Sequence, residues 1–255
     1  MRIFISMDTH KKEWQEFALV LKDLLDLKYS PVALSCQKEP FLESFDKKVR
    51  ICRAILEAGK GESFQISQRT NACFGAAWHL GLYQLKDANV IKMLKKFVVE
   101  GEKLFCSYQA LDKLIQQMGD IPDNSDSYFL LSPLEKCEFT PGLIIFICDA
   151  NAACRLLTLA IFIDGIMPKV KIGGPTCRMA VMYPLLEREI NLSFYDYTAR
   201  KICNVPKDKL LVSVPYAKIP QMVNSIDKCS AGIAKIEYPQ EFREFLKRMS
   251  KISSH

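Results

Sequence analysis

The chain has 255 residues, of which 49% are hydrophobic and 25% are charged, and its formal net charge is +6 at pH 7. This composition is typical of a globular protein of one or two domains and excludes a disordered or fibrous chain. The positive charge is spread along the chain. Its only cluster, in residues 243–251, is typical of a solvated helix face and does not indicate nucleic-acid binding.

Membrane and export signals are the next features to consider. The longest apolar stretches, residues 143–148 and 152–163, fall short of the roughly 20 residues that a membrane-spanning helix requires. The N-terminal stretch 3–7 is too short for the apolar region of a signal peptide. The ten cysteines form no CxxC pair. We therefore expect a cytoplasmic protein without a membrane partner, in which the cysteines are thiols and form no native disulfide.

Helices and short strands alternate in the first half of the chain. Apolar residues at helical spacing predict a first helix over 14–25, and Pro31 ends that pattern. Gly59 marks the end of a second helix. The predicted elements after the first helix are strands at 32–34, 64–67 and 128–131 and helices at 49–58, 71–82, 89–99 and 107–118.

The second half continues the same order of strand, turn and helix. The predicted strands are 143–148, 170–172, 191–195 and 209–214, and the predicted helices are 152–163, 177–186, 217–227 and 238–250. This alternation predicts an α/β (or α+β) protein with a mixed, partly parallel sheet flanked by helices.

The domain organisation follows from the absence of a linker rich in Gly, Pro or Ser. We expect one compact domain over residues 1–228 and a C-terminal helical extension over 229–255. The last helix carries an apolar stripe formed by Phe242, Phe245, Leu246 and Met249. This stripe predicts that the extension is docked on the domain.

Two cysteines begin predicted helices. Cys73 and Cys177 each follow a polar or Gly-rich turn, where a thiol faces unpaired backbone N–H groups and the positive end of the helix dipole. Both effects favour the thiolate, which is the form that ligates metals, attacks electrophiles or exchanges disulfides. Cys52 lies inside a helix and depends on the fold to join them. The alternative is that all three are small buried hydrophobic residues.

The turn before Cys177 is a candidate ligand site. Gly173, Gly174 and Thr176 precede a helix, and N–H groups that converge at such a turn can hold an anion. Arg178 would add a positive charge. No Gly-Lys-Ser/Thr motif follows, so a phosphate loop of the Walker kind is excluded, and a plain turn is the alternative.

Asp149 and His79 are further candidates, each with a structural alternative. Asp149 follows the strand 143–148, where ligands often bind in α/β sheets, but it is equally suited to cap the next helix. His79 lies among apolar residues and does not share a helix face with Cys73, which indicates a packed core histidine. The sequence has no HExxH or GxGxxG motif and too few histidines for an evident catalytic triad.

Seven segments, in their order and spacing, resemble a prokaryotic family known as domain of unknown function 169. The segments are LLDLKYSPVAL, RICRAILEAGKGESFQIS, NACFGAAWHLGL, SYFLLSPLE, FTPGLIIFICDANAACRLL, GGPTCRMAVMYPLL and KLLVSVPYAKIPQMVNSI. The resemblance covers residues 13–226 and implies no established activity. It implies that Cys52, Cys73 and Cys177 match cysteines of the family, whereas Phe194 stands where another family cysteine often occurs.

Three functions follow as hypotheses, and whether the chain is an enzyme stays open. We predict a metal ion or iron–sulfur cluster bound by Cys52, Cys73 and Cys177, since three thiolates leave one coordination position free. The second hypothesis is an enzyme with a single nucleophilic cysteine, Cys73 or Cys177. The third is a small-molecule-binding or regulatory protein without catalysis, whose pocket lies at the strand-end loops.

Overall fold

The computed structural model of the protein describes residues 7–41 and 47–252. Residues 3–6 of the N-terminal apolar stretch lie outside this part. The six strands are β1 (Val32–Gln37), β2 (Phe64–Ile66), β3 (Tyr128–Pro133), β4 (Leu143–Cys148), β5 (Asn191–Ser193) and β6 (Leu210–Pro215). They form one sheet in the order β2-β3-β1-β4-β6-β5, and every neighbouring pair is antiparallel.

The prediction of a partly parallel sheet is therefore wrong. The order strand, turn, helix does not fix the direction of the next strand. The helix α8 (Tyr197–Cys203) shows this, since it connects β5 to β6, yet these two neighbours run antiparallel. The strand expected at 170–172 does not form. The side chain of Asn191 binds the backbone there instead, accepting the N–H of Lys171 at 2.7 Å and donating to its carbonyl at 3.0 Å.

The helices largely follow the predicted ranges. Besides α8 they are α1 (Met7–Leu24), α2 (Ile51–Ala58), α3 (Phe74–His79), α4 (Ala88–Lys96), α5 (Tyr108–Met118), α6 (Ala150–Asp164), α7 (Tyr183–Glu187), α9 (Ile219–Val223) and α10 (Gln240–Ile252). Two π-helical segments, Phe97–Gly101 and Cys177–Met182, continue α4 and precede α7. No helix in the described ranges is long and apolar enough to cross a membrane.

Helices bury the sheet on both faces, which explains why its central strands are continuously apolar. Side chains of β4 alternate between two cores, with Ile145 in one and Phe146 in the other. Helices α1, α6 and α9 cover one face. Helices α2, α3 and α8 and the π-helical segment Cys177–Met182 cover the other, whose core includes Cys52, Cys177 and Cys203. We call the latter the cysteine face.

The two halves of the sheet repeat one strand pattern. The order β2-β3-β1 is followed by β4-β6-β5, so that β1 and β4 meet in the middle and β2 and β5 form the edges. The register repeats as well: Val32 begins β1 and pairs with Pro133, while Leu143 begins β4 and pairs with Pro215. The halves are thus related by an approximate two-fold axis between β1 and β4.

A backbone hydrogen bond repeats in the same way. The N–H of Leu134, directly after β3, donates to the carbonyl of Pro31 at 2.8 Å, and the N–H of Tyr216, directly after β6, donates to the carbonyl of Gly142 at 3.1 Å. Under the axis, α2 corresponds to the helical segment that starts at Cys177, and α3 corresponds to α8. On the cysteine face, the start of α2 is therefore equivalent to the start of the segment at Cys177, and the start of α3 is equivalent to the start of α8.

The C-terminal helix α10 forms, but its apolar stripe does not dock as predicted. The four stripe side chains are 44–51% exposed. Phe242 instead stacks along the chain, with ring centroids 5.9 Å from Tyr238 and 6.2 Å from Phe245. The predicted burial of the stripe is therefore wrong, and the domain boundary at residue 228 stays a prediction.

Candidate functional site

In each half of the fold, a side chain at one helix start on the cysteine face donates a hydrogen bond to a side chain at the other helix start. In the first half, Arg50 precedes α2 and Cys73 precedes α3, and Nη1 of Arg50 donates to Sγ of Cys73 at 3.5 Å. In the second half, Thr176 precedes the π-helical segment and Asp196 precedes α8, and Oγ1 of Thr176 donates to Oδ2 of Asp196 at 2.8 Å. Thus a thiol in one half corresponds to a carboxylate in the other.

The backbone around Cys73 fixes this thiol beside Arg50. The N–H of Ala72 donates to the carbonyl of Val49 at 3.0 Å, which holds the start of α2 against the loop before α3. The side chain of Asn71 accepts the N–H of Cys73 at 3.2 Å and donates to its carbonyl at 2.6 Å. Cys73 consequently takes an extended conformation ahead of α3 and is half-buried.

The Gly-rich turn is occupied by a carboxylate of the chain itself. The N–H of Thr176 donates to Oδ2 of Asp196 at 2.9 Å, and the N–H of Asp196 donates to Oγ1 of Thr176 at 2.8 Å. The two glycines are needed for the conformation and packing of the turn. Gly173 has φ +91°, in the left-handed region, and a Cβ at Gly174 would lie 2.6 Å from Cε of Met179. Asp196 therefore accepts one of the N–H groups that the sequence suggested for a bound anion, and ligand binding at Gly173, Gly174 and Thr176 stays a prediction.

Arg178 binds the C-terminal end of α5. It is 3% exposed, and its Nη2 donates to the carbonyls of Met118, Gly119 and Asp120 at the end of α5. A cation is favourable at a helix C-terminus, where backbone carbonyls lack partners within the helix. Its Nε and Nη1 atoms are buried without a hydrogen-bond partner among the described residues.

A thiol pair was missed from the sequence. Cys52 in the first turn of α2 and Cys203 at the end of α8 place their Sγ atoms 3.6 Å apart, within hydrogen-bond distance for thiols. This hydrogen bond lowers the pKa of Cys203, as do Arg53 and Arg50, while burial opposes the shift. The same hydrogen bond and burial raise the pKa of Cys52. The pair thus favours one thiolate and one thiol. No spacing signal links residues 151 positions apart.

The three cysteines expected to form a metal site share one electrostatic environment. Burial raises the pKa of Cys177, and the neighbouring Cys73 and Asp196 raise it further. Asp196 and Cys73 also contribute to the raised pKa of Cys52. Within residues 7–41 and 47–252, however, no group of three or more His, Cys, Asp or Glu side chains is arranged to hold a metal ion. Metal binding by these cysteines stays a prediction.

Asp149 and His79 take the structural roles that the sequence offered as alternatives, and ligand binding at Asp149 stays a prediction. Oδ1 of Asp149 accepts the N–H of Ala152 at 2.9 Å and caps α6, which covers the sheet face opposite the cysteine face. His79 is buried at the end of α3 and stacks on Trp78 with ring centroids 4.7 Å apart. Burial lowers the pKa of His79 to about 4, and the charge of Arg178 acts in the same direction.

Comparison with known proteins places the chain in a family but supplies no activity. No curated protein and no solved structure matches it. The family DUF169, described as "Uncharacterised ArCR", matches residues 20–225. This range contains all six strands and the helix starts that carry Cys52, Cys73 and Cys177, and it ends before α10. The chain therefore belongs to the DUF169 family.

Proposed function

We propose that the protein is a cytoplasmic, cysteine-dependent enzyme in which Cys73 attacks an electrophilic small molecule. The observation that carries this proposal is the 3.5 Å hydrogen bond from the Arg50 guanidinium to the Cys73 sulfur. A charge-assisted hydrogen bond stabilises a sulfur atom that bears negative charge, and the thiolate is the nucleophilic form of cysteine. The reducing cytoplasm keeps such a thiol available.

Accessibility distinguishes Cys73 from the buried thiols on the cysteine face. Cys36 is also half-buried there, but burial raises its pKa. Cys52, Cys177 and Cys203 are buried, whereas Cys73 is half-buried. Gly75 lies beside the sulfur, and a Cβ at this position would be 4.0 Å from Sγ. A glycine here therefore leaves room next to the nucleophile for a reacting group.

An apolar surface lies next to this opening. Phe74 and Tyr83 are 43% and 42% exposed, and their ring centroids are 6.1 Å apart. Phe74 directly follows Cys73 in the chain. In the proposal, these rings contact an apolar part of the substrate, and Cys73 reacts with its electrophilic carbon.

The test is the rate at which each thiol is alkylated by iodoacetamide at pH 7, mapped by mass spectrometry. Cys106 and Cys154 are exposed and serve as internal references. We expect Cys73 to react faster than both despite its lower exposure. Arg50→Gln should slow Cys73 by about tenfold, since a hydrogen bond to a charged group contributes on the order of 1.5 kcal/mol and about 1.4 kcal/mol corresponds to a factor of ten.

The matched control is Arg53→Gln, which removes the same charge three residues further on, inside α2. Arg53 donates to Glu57 at 3.0 Å and to the carbonyl of Cys203, so its loss should leave Cys73 alkylation almost unchanged. If Cys73 reacts more slowly than the two exposed cysteines in the unmodified protein, it is not an activated nucleophile and the proposal fails.

Metal or iron–sulfur binding is the second candidate. It is favoured by one observation: Cys73 and Asp196 both contribute to the raised pKa of Cys52 and of Cys177. Cys52 and Cys177 are buried in one core and Cys73 packs against it, and this candidate requires a rearrangement that brings the three sulfurs onto one ion. Elemental analysis and a visible spectrum of protein purified without oxygen test this candidate. Stoichiometric metal that is lost in Cys73→Ser would support it over covalent catalysis.

A further inference from the structure

The buried pair Cys52 and Cys203 is separate from the proposed nucleophile and has a chemistry of its own. The two side chains come from α2 in the first half of the fold and α8 in the second, and their sulfur atoms are 3.6 Å apart. A disulfide bond is about 2.05 Å long, so the sulfurs need to approach by roughly 1.5 Å to form one. Adjustment of the two side chains within the α2–α8 contact can supply such a movement.

The fold does not require thiols at these positions. Under the two-fold axis, Cys52 corresponds to Arg178, since each is the second residue of its helical segment. Cys203 corresponds to Leu80, since each lies seven positions after the residue that caps its helix start. An arginine and a leucine therefore occupy the two symmetry-equivalent positions. The thiol pair is not repeated there and is not a requirement of the packing that the two halves share.

The surroundings of the pair suit oxidation chemistry. Nη1 of Arg53 donates to the carbonyl of Cys203 at 3.3 Å, which brings a guanidinium to the end of α8. The Tyr195 hydroxyl is buried without a hydrogen-bond partner in the described structure. Burial raises the pKa of Tyr195, and Cys52 and Cys203 add to the rise. All three side chains lie in the same hydrophobic core. A hydroxyl donor in this core that has no other partner can stabilise an oxygen atom added to sulfur.

From this geometry we infer that Cys52 and Cys203 are a redox-active dithiol that hydrogen peroxide converts to a disulfide, covalently joining α2 to α8. The Cys203 thiolate attacks one peroxide oxygen and displaces hydroxide, which leaves a sulfenic acid on Cys203. The Cys52 sulfur then attacks the Cys203 sulfur and displaces the hydroxyl group, which departs as water with the Cys52 proton. Two thiols and one peroxide thus give one disulfide and two waters. This inference does not depend on the reactivity of Cys73.

The experiment titrates reduced, folded protein with hydrogen peroxide, traps the remaining thiols and maps the peptides without reduction. We expect a linked peptide pair that contains Cys52 and Cys203, and its disappearance after treatment with dithiothreitol. The melting temperature of the oxidised protein should rise, because a cross-link over a long segment restricts the unfolded chain. The link should form without denaturant.

An arsenical binding assay and two serine variants test the same thiol pair independently. Phenylarsine oxide binds closely spaced dithiols, so the reduced protein should bind one equivalent with loss of two titratable thiols, and the oxidised protein should bind none. Cys203→Ser should abolish both reactions. Cys137→Ser, which replaces a buried thiol on the opposite face, should abolish neither. Recovery of a different linkage, of irreversibly oxidised Cys203, or of unlinked thiols after excess peroxide overturns the inference.

Discussion

Thr176 and Asp196 are joined by a reciprocal pair of hydrogen bonds, in which the Thr176 hydroxyl donates to the carboxylate and accepts the Asp196 N–H, each at 2.8 Å. Oδ1 of the same carboxylate accepts the N–H of Ala199 at 2.8 Å. The Asp196 side chain therefore accepts backbone N–H groups at the starts of two helical segments. Thr176 is almost fully buried at this position.

Thr176→Val should destabilise the protein by about 1–3 kcal/mol, because it leaves the Asp196 N–H and one carboxylate oxygen without this partner in a partly buried site. Denaturant unfolding at pH 7 measures the loss. Thr158→Val is the control, since Thr158 is exposed and its hydroxyl donates only along its own helix to the Cys154 carbonyl. An equal effect of the two substitutions would show that the Thr176 hydroxyl has no special role.

His79 should make stability fall in mildly acidic solution. Its pKa in the folded protein is about 4, below the ordinary value of 6.5, because burial and Arg178 disfavour the proton while Asp196 favours it weakly. The unfolded chain therefore binds the proton first as the pH falls. The stability that follows from the lowered pKa of His79 is complete above about pH 6.5 and is lost between about pH 6.5 and 4. The total loss in unfolding free energy is up to about 3 kcal/mol.

The comparison that isolates this effect is His79→Phe, which keeps a ring stacked on Trp78 but cannot titrate. As the pH falls from 7 to 4, the unfolding free energy of the histidine protein should decrease relative to that of the His79→Phe variant. A difference that is constant over this range contradicts the prediction.

Arg178→Met should weaken the end of α5. The substitution keeps an unbranched side chain of similar width but removes the guanidinium and its hydrogen bonds to Met118, Gly119 and Asp120, which leaves their carbonyls without this donor. We expect a loss of about 2–4 kcal/mol in unfolding free energy. Hydrogen exchange should accelerate most in residues 108–120. Uniform acceleration across the sheet would instead indicate a general packing defect.

Gly75→Val should shield Cys73. A Cβ at this position lies at ordinary contact distance from the Cys73 sulfur, so the two added methyl groups would cover the approach to it. The iodoacetamide rate at Cys73 should fall by about threefold or more in a variant of nearly unchanged fold, while the rates at Cys106 and Cys154 stay the same. Gly75→Ala is the smaller step and should have a weak effect.

Removal of residues 237–255 should change the melting temperature only slightly. The apolar stripe of α10 is about half exposed, so little hydrophobic free energy depends on its contacts. A thermal melt of the truncated chain beside the full chain tests this. A marked decrease would mean that the stripe is covered in solution.

Local patterns in the sequence were sufficient for most helices and for the central strands. Helix α5, for example, combines helical apolar spacing with Ser107 as a capping residue and Gly119 at its end. The buried strand β4 is a continuous apolar run. Strand direction was not predictable, because a helix of given length can return the chain to either end of a neighbouring strand.

The site was only partly predictable for a related reason. Helix-start positions identified Cys73 and Cys177 from their immediate neighbours. Cys203 ends α8 and acquires its significance only from Cys52, which the fold brings to it from the other half. Asp196 likewise becomes important through Thr176, twenty positions earlier. Contacts between distant segments leave no periodic signal along the chain.

The pairing of β1 with β4 has the geometry of a dimer interface that has been fused into one polypeptide. Each three-strand half presents its own first strand at this seam, and Leu34 pairs there with Leu143. A half expressed alone would expose that strand as an unpaired edge, with a row of free N–H and C=O groups. Because the seam is nearly self-complementary, two copies of one half could satisfy each other there. Two identical copies would carry the same residues at their helix starts. The two halves of one chain can differ, and here one half has Arg50 and Cys73 where the other has Thr176 and Asp196.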